Sequence, residues 1–309
     1  SDAAPFSGSS DHDKYAAGYA AIAVASAAMA IPLIFQPRST AEFLLGASAL
    51  PTNMEQDRLM GLVAAGLLSA GATAWALKSD AEKHELDVGA SETLQLGLIG
   101  FAATNLAAHL AHVNDLTPNG LAAGVATAAV SAAVPAARLL LSPAGRRKIV
   151  DRLRDAVDSV CRRSLDFGNR GRGFRFTSAL YALLVPGTLA AGVALTASPA
   201  ASLDGTLGYV LKGADSVYLW RQIGTAMLTI APAALLALKD RADNDELGEA
   251  QPRALNAGLL LAGTAQLAVL APMAADGAGG RYLPLVLGLS GATALAGVLG
   301  LASSNGRRL

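Results

Sequence analysis

The stretch YLPLVLGLSGATALAGVLGLA, residues 282–302, contains no charged side chain. A helix that crosses about 30 Å of hydrocarbon at about 1.5 Å per residue needs about 20 mostly apolar residues. Seven similar runs precede this one, so the sequence predicts eight transmembrane helices. The predicted spans are residues 15–35, 58–77, 92–113, 121–141, 176–197, 221–238, 254–274 and 282–302.

The composition agrees with a membrane protein. Of the 309 residues 52% are hydrophobic and only 16% are charged, against roughly 25% charged in an ordinary soluble protein. The apolar runs are continuous rather than alternating, which favours helices over a barrel. We therefore expect an all-α polytopic membrane protein with the lipid bilayer as its surroundings.

Several function classes find no support in the sequence. The formal net charge is zero, so neither nucleic acid nor a polyanionic substrate is indicated as a partner. Cys161 is the single cysteine, which excludes an internal disulfide and a cysteine metal cluster. The chain carries no glycine-rich phosphate loop, nucleophile elbow or histidine–glutamate metal spacing. We expect no catalytic residues, no metal site and no enzyme activity.

The basic residues predict the orientation, because they concentrate on the cytoplasmic side of membrane proteins. Counting Arg138 at the end of the fourth span, all but five of the 24 Lys and Arg lie at the termini or in the loops after spans two, four and six. The five exceptions are Arg38, Arg58, Lys212, Arg221 and Arg281. The basic side, with both termini, is therefore expected to face the cytoplasm or the organellar stroma.

The two halves of the chain match with a shift of 161 to 163 residues. Arg58 and Gly61 open the second span as Arg221 and Gly224 open the sixth. Further pairs are Lys78 with Lys239, Gln95 with Asn256, Gly97 with Gly258, Asn105 with Gln266, and Asp115 with Asp276. These matches predict two parallel tandem four-helix repeats, residues 15–141 and 176–302, related by an axis along the membrane normal.

The openings Arg58–Gly61 and Arg221–Gly224, each followed by a small-residue helix, resemble small four-span membrane families of the DoxX-like kind. The resemblance implies a tandem duplication of such a four-span unit. Since these families are mostly without assigned chemistry, it implies little about function.

The segments outside the repeats are polar or amphipathic. Residues 1–14 and 303–309 are predicted as polar tails, and residues 142–175 as a basic connector. Apolar residues of the connector recur every three or four positions between 146 and 165, as in an amphipathic helix. It is either a docking helix for anionic lipid or a partner, or a solvated linker whose charges fix the topology. The loops 36–57 and 198–220 carry apolar stretches that are predicted to lie along the interface.

Asn105, His109 and His112 form a polar stripe on one face of the third span. Polar groups inside a membrane usually face the protein or a water-filled cavity. A neutral imidazole there can ligate the metal of a chlorophyll or another tetrapyrrole, or relay protons. Alternatively, the stripe is structural, and its histidines lie at the interface with hydrogen bonds to neighbouring helices or lipid headgroups.

Three further residues are candidate contacts for a substrate or lipid. Arg58 and Arg221 could clamp an anionic group, since guanidinium binds carboxylate and phosphate bidentately. Alternatively, they are interfacial residues whose charged heads reach water. Gln266 could contribute to a central polar site or simply bond to another helix.

The first functional hypothesis is a non-catalytic accessory subunit of a membrane complex, holding pigment or lipid and contacting other membrane subunits. An arginine-rich, lysine-poor composition favours a photosynthetic membrane, with the chloroplast thylakoid preferred over a bacterial inner membrane. The alternative is a secondary transporter for a small molecule, because parallel repeats are a transporter architecture. A lipid-modifying enzyme would have only His109 and His112 to work with.

Overall fold

The computed structural model describes residues 9–46, 54–141, 176–208, 214–277 and 279–305, and the regular elements in these ranges are α-helices. In chain order they are α1 (Ser9–Phe35), α2 (Pro37–Leu45), α3 (Met54–Glu82), α4 (Gly89–Ala111), α5 (Pro118–Leu141), α6 (Phe176–Ala197), α7 (Pro199–Leu207), α8 (Ala214–Leu228), α9 (Ile230–Asp243), α10 (Ala250–Ala275) and α11 (Leu283–Asn305).

Eight segments within the described ranges are long and apolar enough to cross a membrane, and each coincides with a predicted span. The spans are α1, α3, α4, α5, α6, the pair α8–α9, α10 and α11. The sixth span is interrupted at Thr229, between α8 and α9. Pro232 explains this position, because proline has no N–H to bond the carbonyl four residues earlier and its ring crowds that carbonyl. The predicted all-α, eight-span membrane fold is confirmed.

A short helix follows the first span of each half. Helix α2 is separated from α1 by Gln36, and α7 from α6 by Ser198. Both short helices begin with proline, where the missing N–H would be unpaired anyway. Both end at a glycine with positive φ, 87° at Gly46 and 73° at Gly208, a conformation that glycine adopts without steric penalty. Each apolar loop predicted for the interface thus contains a short helix.

The second and sixth spans occupy the centre of the molecule. Within each half the first span packs on the second, and the third on the fourth. Between the halves, the second span packs on the seventh and the third on the sixth. A Cβ at Gly97 would lie 2.6 Å from Ala233 Cβ, and a Cβ at Gly258 would lie 2.5 Å from Ala72 Cβ. These glycines let the helices approach closely, and the two contacts are related by the same shift of 161 residues.

The ends of the described chain extend beyond the predicted apolar runs. Helix α1 begins at Ser9, inside the segment predicted as a polar tail, and α11 continues to Asn305. A helix needs its backbone hydrogen bonds but no apolar side chains outside the bilayer, so hydropathy alone does not mark its end. The connector at residues 142–175 lies outside the described residues, and its amphipathic helix stays a prediction.

Candidate functional site

The polar stripe of the third span faces the protein interior. Asn105, His109 and His112 are 6%, 5% and 9% exposed. The expectation that this face avoids bare hydrocarbon is confirmed. The stripe packs against the start of the sixth span, on the membrane side that carries few basic residues. We call these three residues, together with Asp115, Tyr218, Arg221 and Gln222, the histidine cluster.

His109 is held through both nitrogens of its ring. Nδ1 lies 2.7 Å from the carbonyl oxygen of Asn105, which defines Nδ1 as the protonated donor in the neutral ring. The Tyr218 hydroxyl donates to Nε2 at 2.9 Å. The amide nitrogen of Gln222 also lies 3.2 Å from Nδ1, but both groups are donors in this tautomer and form no hydrogen bond. His109 of the third span is thereby fixed against the sixth span by its hydrogen bond to Tyr218.

His112, one helical turn after His109, contacts both an acidic and a basic side chain. Its Nδ1 donates to Asp115 Oδ2 at 2.9 Å, and Arg221 Nη1 donates to its Nε2 at 3.0 Å. Tyr218 contacts both imidazoles edge-on, with ring centroids 5.5 and 5.6 Å away. The four side chains join the two halves of the chain at this end of the membrane.

These bonds bear on the predicted tetrapyrrole. An axial ligand presents a free ring nitrogen to the metal, and each imidazole nitrogen of His109 and His112 already has a partner within the protein. Ligation would require one of these bonds to break. The geometry thus favours the structural interpretation of the stripe, while pigment ligation by Asn105, His109 and His112 stays a prediction.

The three predicted contact residues lie in different places. Arg221 belongs to the histidine cluster, and Gln266 lies in the wall of a cleft in the second half. Arg58 is half-buried at the position equivalent to Arg221 but does not take part in the hydrogen bonds of the cluster described above. The structure does not bring the three together.

An apolar cleft lies between the first span, the short helix and the fourth span of the first half. Its volume is about 470 Å³, and its walls include Met29 of α1, Phe43 of α2 and Val130 of α5. All of the residues that line it are uncharged. We call it the first cleft.

The second half has a cleft at the equivalent place, which we call the second cleft. Its volume is about 530 Å³, and Ala191 of α6, Thr206 of α7 and Leu289 of α11 line it. It also reaches Trp220 of the sixth span and Gln266 of the seventh. Both volumes lie within the roughly 300 to 1,000 Å³ typical of small-molecule sites.

Sequence reasoning missed a second polar cluster, on the basic side. Asp80 Oδ2 accepts hydrogen bonds from Ser91 at 2.5 Å and from Gln251 at 2.6 Å. Arg241 donates to Gln251 Oε1 and to Glu246, both at 2.7 Å. This cluster joins the halves at the membrane end opposite the histidine cluster.

The missed residues left signals in the sequence. Asp80 lies among charged residues that resemble a solvated loop, yet the pairing of Lys78 with Lys239 aligns Asp80 with Arg241, two residues of opposite charge. Tyr218 and Arg221 are three residues apart, as are His109 and His112. Residues three apart share a helix face, so each pair places two polar groups on one face of its span.

Together the fold and its buried polar clusters define an all-α integral membrane protein with eight candidate spans. No protein-family model matches the chain, and no curated protein is similar to it in sequence.

Proposed function

We propose that this protein is a non-catalytic accessory subunit of a membrane complex that holds membrane lipid in its two clefts. The observation that carries the proposal is the recurrence of an apolar cleft at equivalent positions of both halves. A short helix forms part of the wall of each cleft. Apolar walls of this kind suit acyl chains. The partners are the bilayer and other membrane subunits, with no role for nucleic acid.

We also propose that the halves arose by tandem duplication of a four-span unit resembling the DoxX-like families. The residues before the short helices support this, with φ and ψ of −135° and 51° at Gln36 and −132° and 57° at Ser198. The loops after the second and sixth spans support it as well. His84 and Asp245, 161 residues apart, both have positive φ, 61° and 66°.

The membrane that we propose is a photosynthetic one, the chloroplast thylakoid in preference to a bacterial inner membrane. Arginine-rich composition supports this choice, and the basic side would then face the stroma. Tetrapyrrole ligation at His109 or His112 is a separate part of this proposal. An absorption spectrum of the complex purified from its native membrane tests it directly.

Native mass spectrometry of the purified full-length protein tests the lipid proposal. Ala190 and Ala126 are exposed residues that line the second and first cleft. Ala190→Leu and Ala126→Leu should each reduce the lipid that survives purification, because leucine fills the cleft. Ala197→Leu and Ala129→Leu are matched controls, since both alanines are exposed but line neither cleft. Equal lipid retention in all four variants would exclude lipid binding in the clefts.

A second candidate function, a secondary transporter, is favoured by the interrupted sixth span. Transporter sites lie near the bilayer midplane, at the repeat interface, where helices are discontinuous. The break at Thr229 is central in its span, and a cavity of about 50 Å³ beside it is lined by Ile230 and by Ser69 of the second span. Such a cavity admits little more than water, so transport would require it to open.

Cysteine accessibility distinguishes the two candidates. In a Cys161→Ser background, a transporter with Ser69→Cys should react with water-soluble thiol reagents from either side of the membrane. An accessory subunit should leave this cysteine unreactive from both sides.

A further inference from the structure

The two clefts differ in charge at their mouths. The first cleft is lined by uncharged residues alone, whereas Arg281 lines the second. The shift of 161 to 163 residues aligns Arg281 with residues 118–120, which are Pro, Asn and Gly and carry no charge. Arg281 is also one of the five basic residues on the sparsely charged side of the membrane. The second cleft therefore has a cationic side chain, Arg281, at its mouth, whereas the residues that line the first cleft include no cation.

Arg281 stands at a level where lipid headgroups are expected. Its guanidinium carbon lies 4.6 Å from the centre of the Tyr282 ring, and Tyr282 also lines the cleft. Tyrosine and tryptophan concentrate at the membrane–water interface, and Trp220 lines the same cleft. A guanidinium that is stacked on an aromatic ring keeps its donors for a phosphate or carboxylate.

Backbone hydrogen bonds hold the loop at the mouth of the second cleft in place. The backbone N–H of Tyr282 donates to the carbonyl of Gly205 at 2.7 Å, and that of Gly280 to the carbonyl of Thr206 at 2.9 Å. A side chain at Gly205 would overlap the Tyr282 ring. The loop that carries Arg281 is thus pinned to the short helix α7, which presets the position of the cation.

Three of the polar side chains in the cleft wall, Trp220, Ser202 and Gln266, form hydrogen bonds within the protein. Trp220 Nε1 donates to Ser202 Oγ at 2.8 Å, and Ser290 Oγ donates to Gln266 Oε1 at 2.9 Å. The interior consequently offers a ligand mostly apolar contact. Recognition of a polar headgroup is left to Arg281 at the mouth.

We propose that the second cleft binds an anionic phospholipid, with an acyl chain in the cleft and the phosphate at Arg281, from the leaflet opposite the basic side. This inference rests on the proposed lipid binding and adds a headgroup preference that the first cleft lacks. A cation near a membrane surface contributes about 1 kcal/mol toward an anionic lipid, which corresponds to a preference of about fivefold.

The test uses the full-length protein in detergent, titrated with phosphatidylglycerol or phosphatidylcholine and measured by native mass spectrometry. Wild type should bind one phosphatidylglycerol about fivefold more tightly than phosphatidylcholine. Arg281→Gln should abolish the preference by weakening phosphatidylglycerol binding more than phosphatidylcholine binding, and Arg281→Lys should retain part of the preference. Arg38→Gln, which removes an exposed cation on the same side outside both clefts, should keep it.

The outcomes separate this inference from the function on which it rests. If Ala190→Leu lowers the binding of both lipids but wild type shows no headgroup preference, the anionic-lipid inference is wrong and lipid binding stands. An equal effect of Arg38→Gln and Arg281→Gln also overturns the inference, because general surface charge would then explain it. If Ala190→Leu changes nothing, the proposed lipid binding itself fails.

Discussion

His109 lies where three spans meet, between its own helix, Tyr218 of the sixth span and Gly124 of the fourth. We expect His109→Leu to destabilise the protein by about 0.6 to 1.7 kcal/mol for the interhelical bond it removes. Leucine leaves the Tyr218 hydroxyl buried without its acceptor. Thermal unfolding in detergent measures the loss, and an absorption spectrum of the natively purified complex should be unchanged.

A double-mutant cycle checks the cause. Tyr218→Phe removes the same bond from the other side, so the double variant should lose less stability than the sum of the two single losses, whereas additive losses would contradict a shared bond. Loss of visible absorbance in His109→Leu, with assembly intact, would instead assign the ring to a pigment.

Gly124 leaves the space that the His109 ring occupies. A Cβ at this position would overlap the imidazole, so Gly124→Ala should displace the ring and destabilise the protein by about 1 to 3 kcal/mol. Gly291→Ala is the matched control, because a Cβ there would meet nothing within 4 Å. Equal melting temperatures of the two variants in detergent would show that the ring can move aside freely.

At the scale of elements, the sequence predicts the spans well because hydropathy over 20 residues depends little on packing. The short helices α2 and α7 were anticipated only as apolar loops, since nine residues are too few for a clear period. Pro186 and Pro232 each lie inside a predicted span. The sixth span is interrupted at Thr229, whereas α6 runs through Pro186 unbroken. Only the surroundings of a proline decide whether its helix continues.

The sequence predicted the part of the candidate site that lies on one helix, but not the contacts that this part makes with another helix. The spacing of Asn105, His109 and His112 is a local property, and it correctly indicated a buried face. Their partners Tyr218 and Arg221 lie 109 residues away along the chain. No local pattern specifies such a pairing, which depends on the third span packing against the sixth.

Helix packing between the halves gives a paired prediction. Gly97→Ala and Gly258→Ala each place a methyl group against an alanine of the other half, Ala233 or Ala72. Each should lower the thermal stability in detergent by about 1 to 3 kcal/mol, and the two losses should be similar because the contacts are equivalent. Gly288→Ala, where a Cβ would meet nothing within 4 Å, should be neutral. A large loss at one glycine and none at the other would contradict a symmetric interface.

At the scale of the whole molecule, opposite ends of the membrane carry different polar clusters between the halves. The histidine cluster joins the third and sixth spans, and on the basic side Asp80 and Gln251 join the second and seventh. The same pairs of spans also meet through their equivalent glycines. The proposed repeats would account for this exchange of partners, because a two-fold axis along the membrane normal would map the second span onto the sixth and the third onto the seventh.

Such an axis would give both halves the same orientation, and the basic residues then predict which side is cytoplasmic. Cys161, the single cysteine, lies in the connector at residues 142–175. Since positive charge is retained on the cytoplasmic side, we expect Cys161 in right-side-out vesicles to resist a membrane-impermeant maleimide until detergent is added. Ser39→Cys in a Cys161→Ser background provides the opposite case, because Ser39 is an exposed residue of α2, which follows the first span. It should react in intact vesicles. Labelling of Cys161 from outside, with Ser39→Cys protected, would reverse the topology and would put Arg281 and the mouth of the second cleft in the cytoplasmic leaflet.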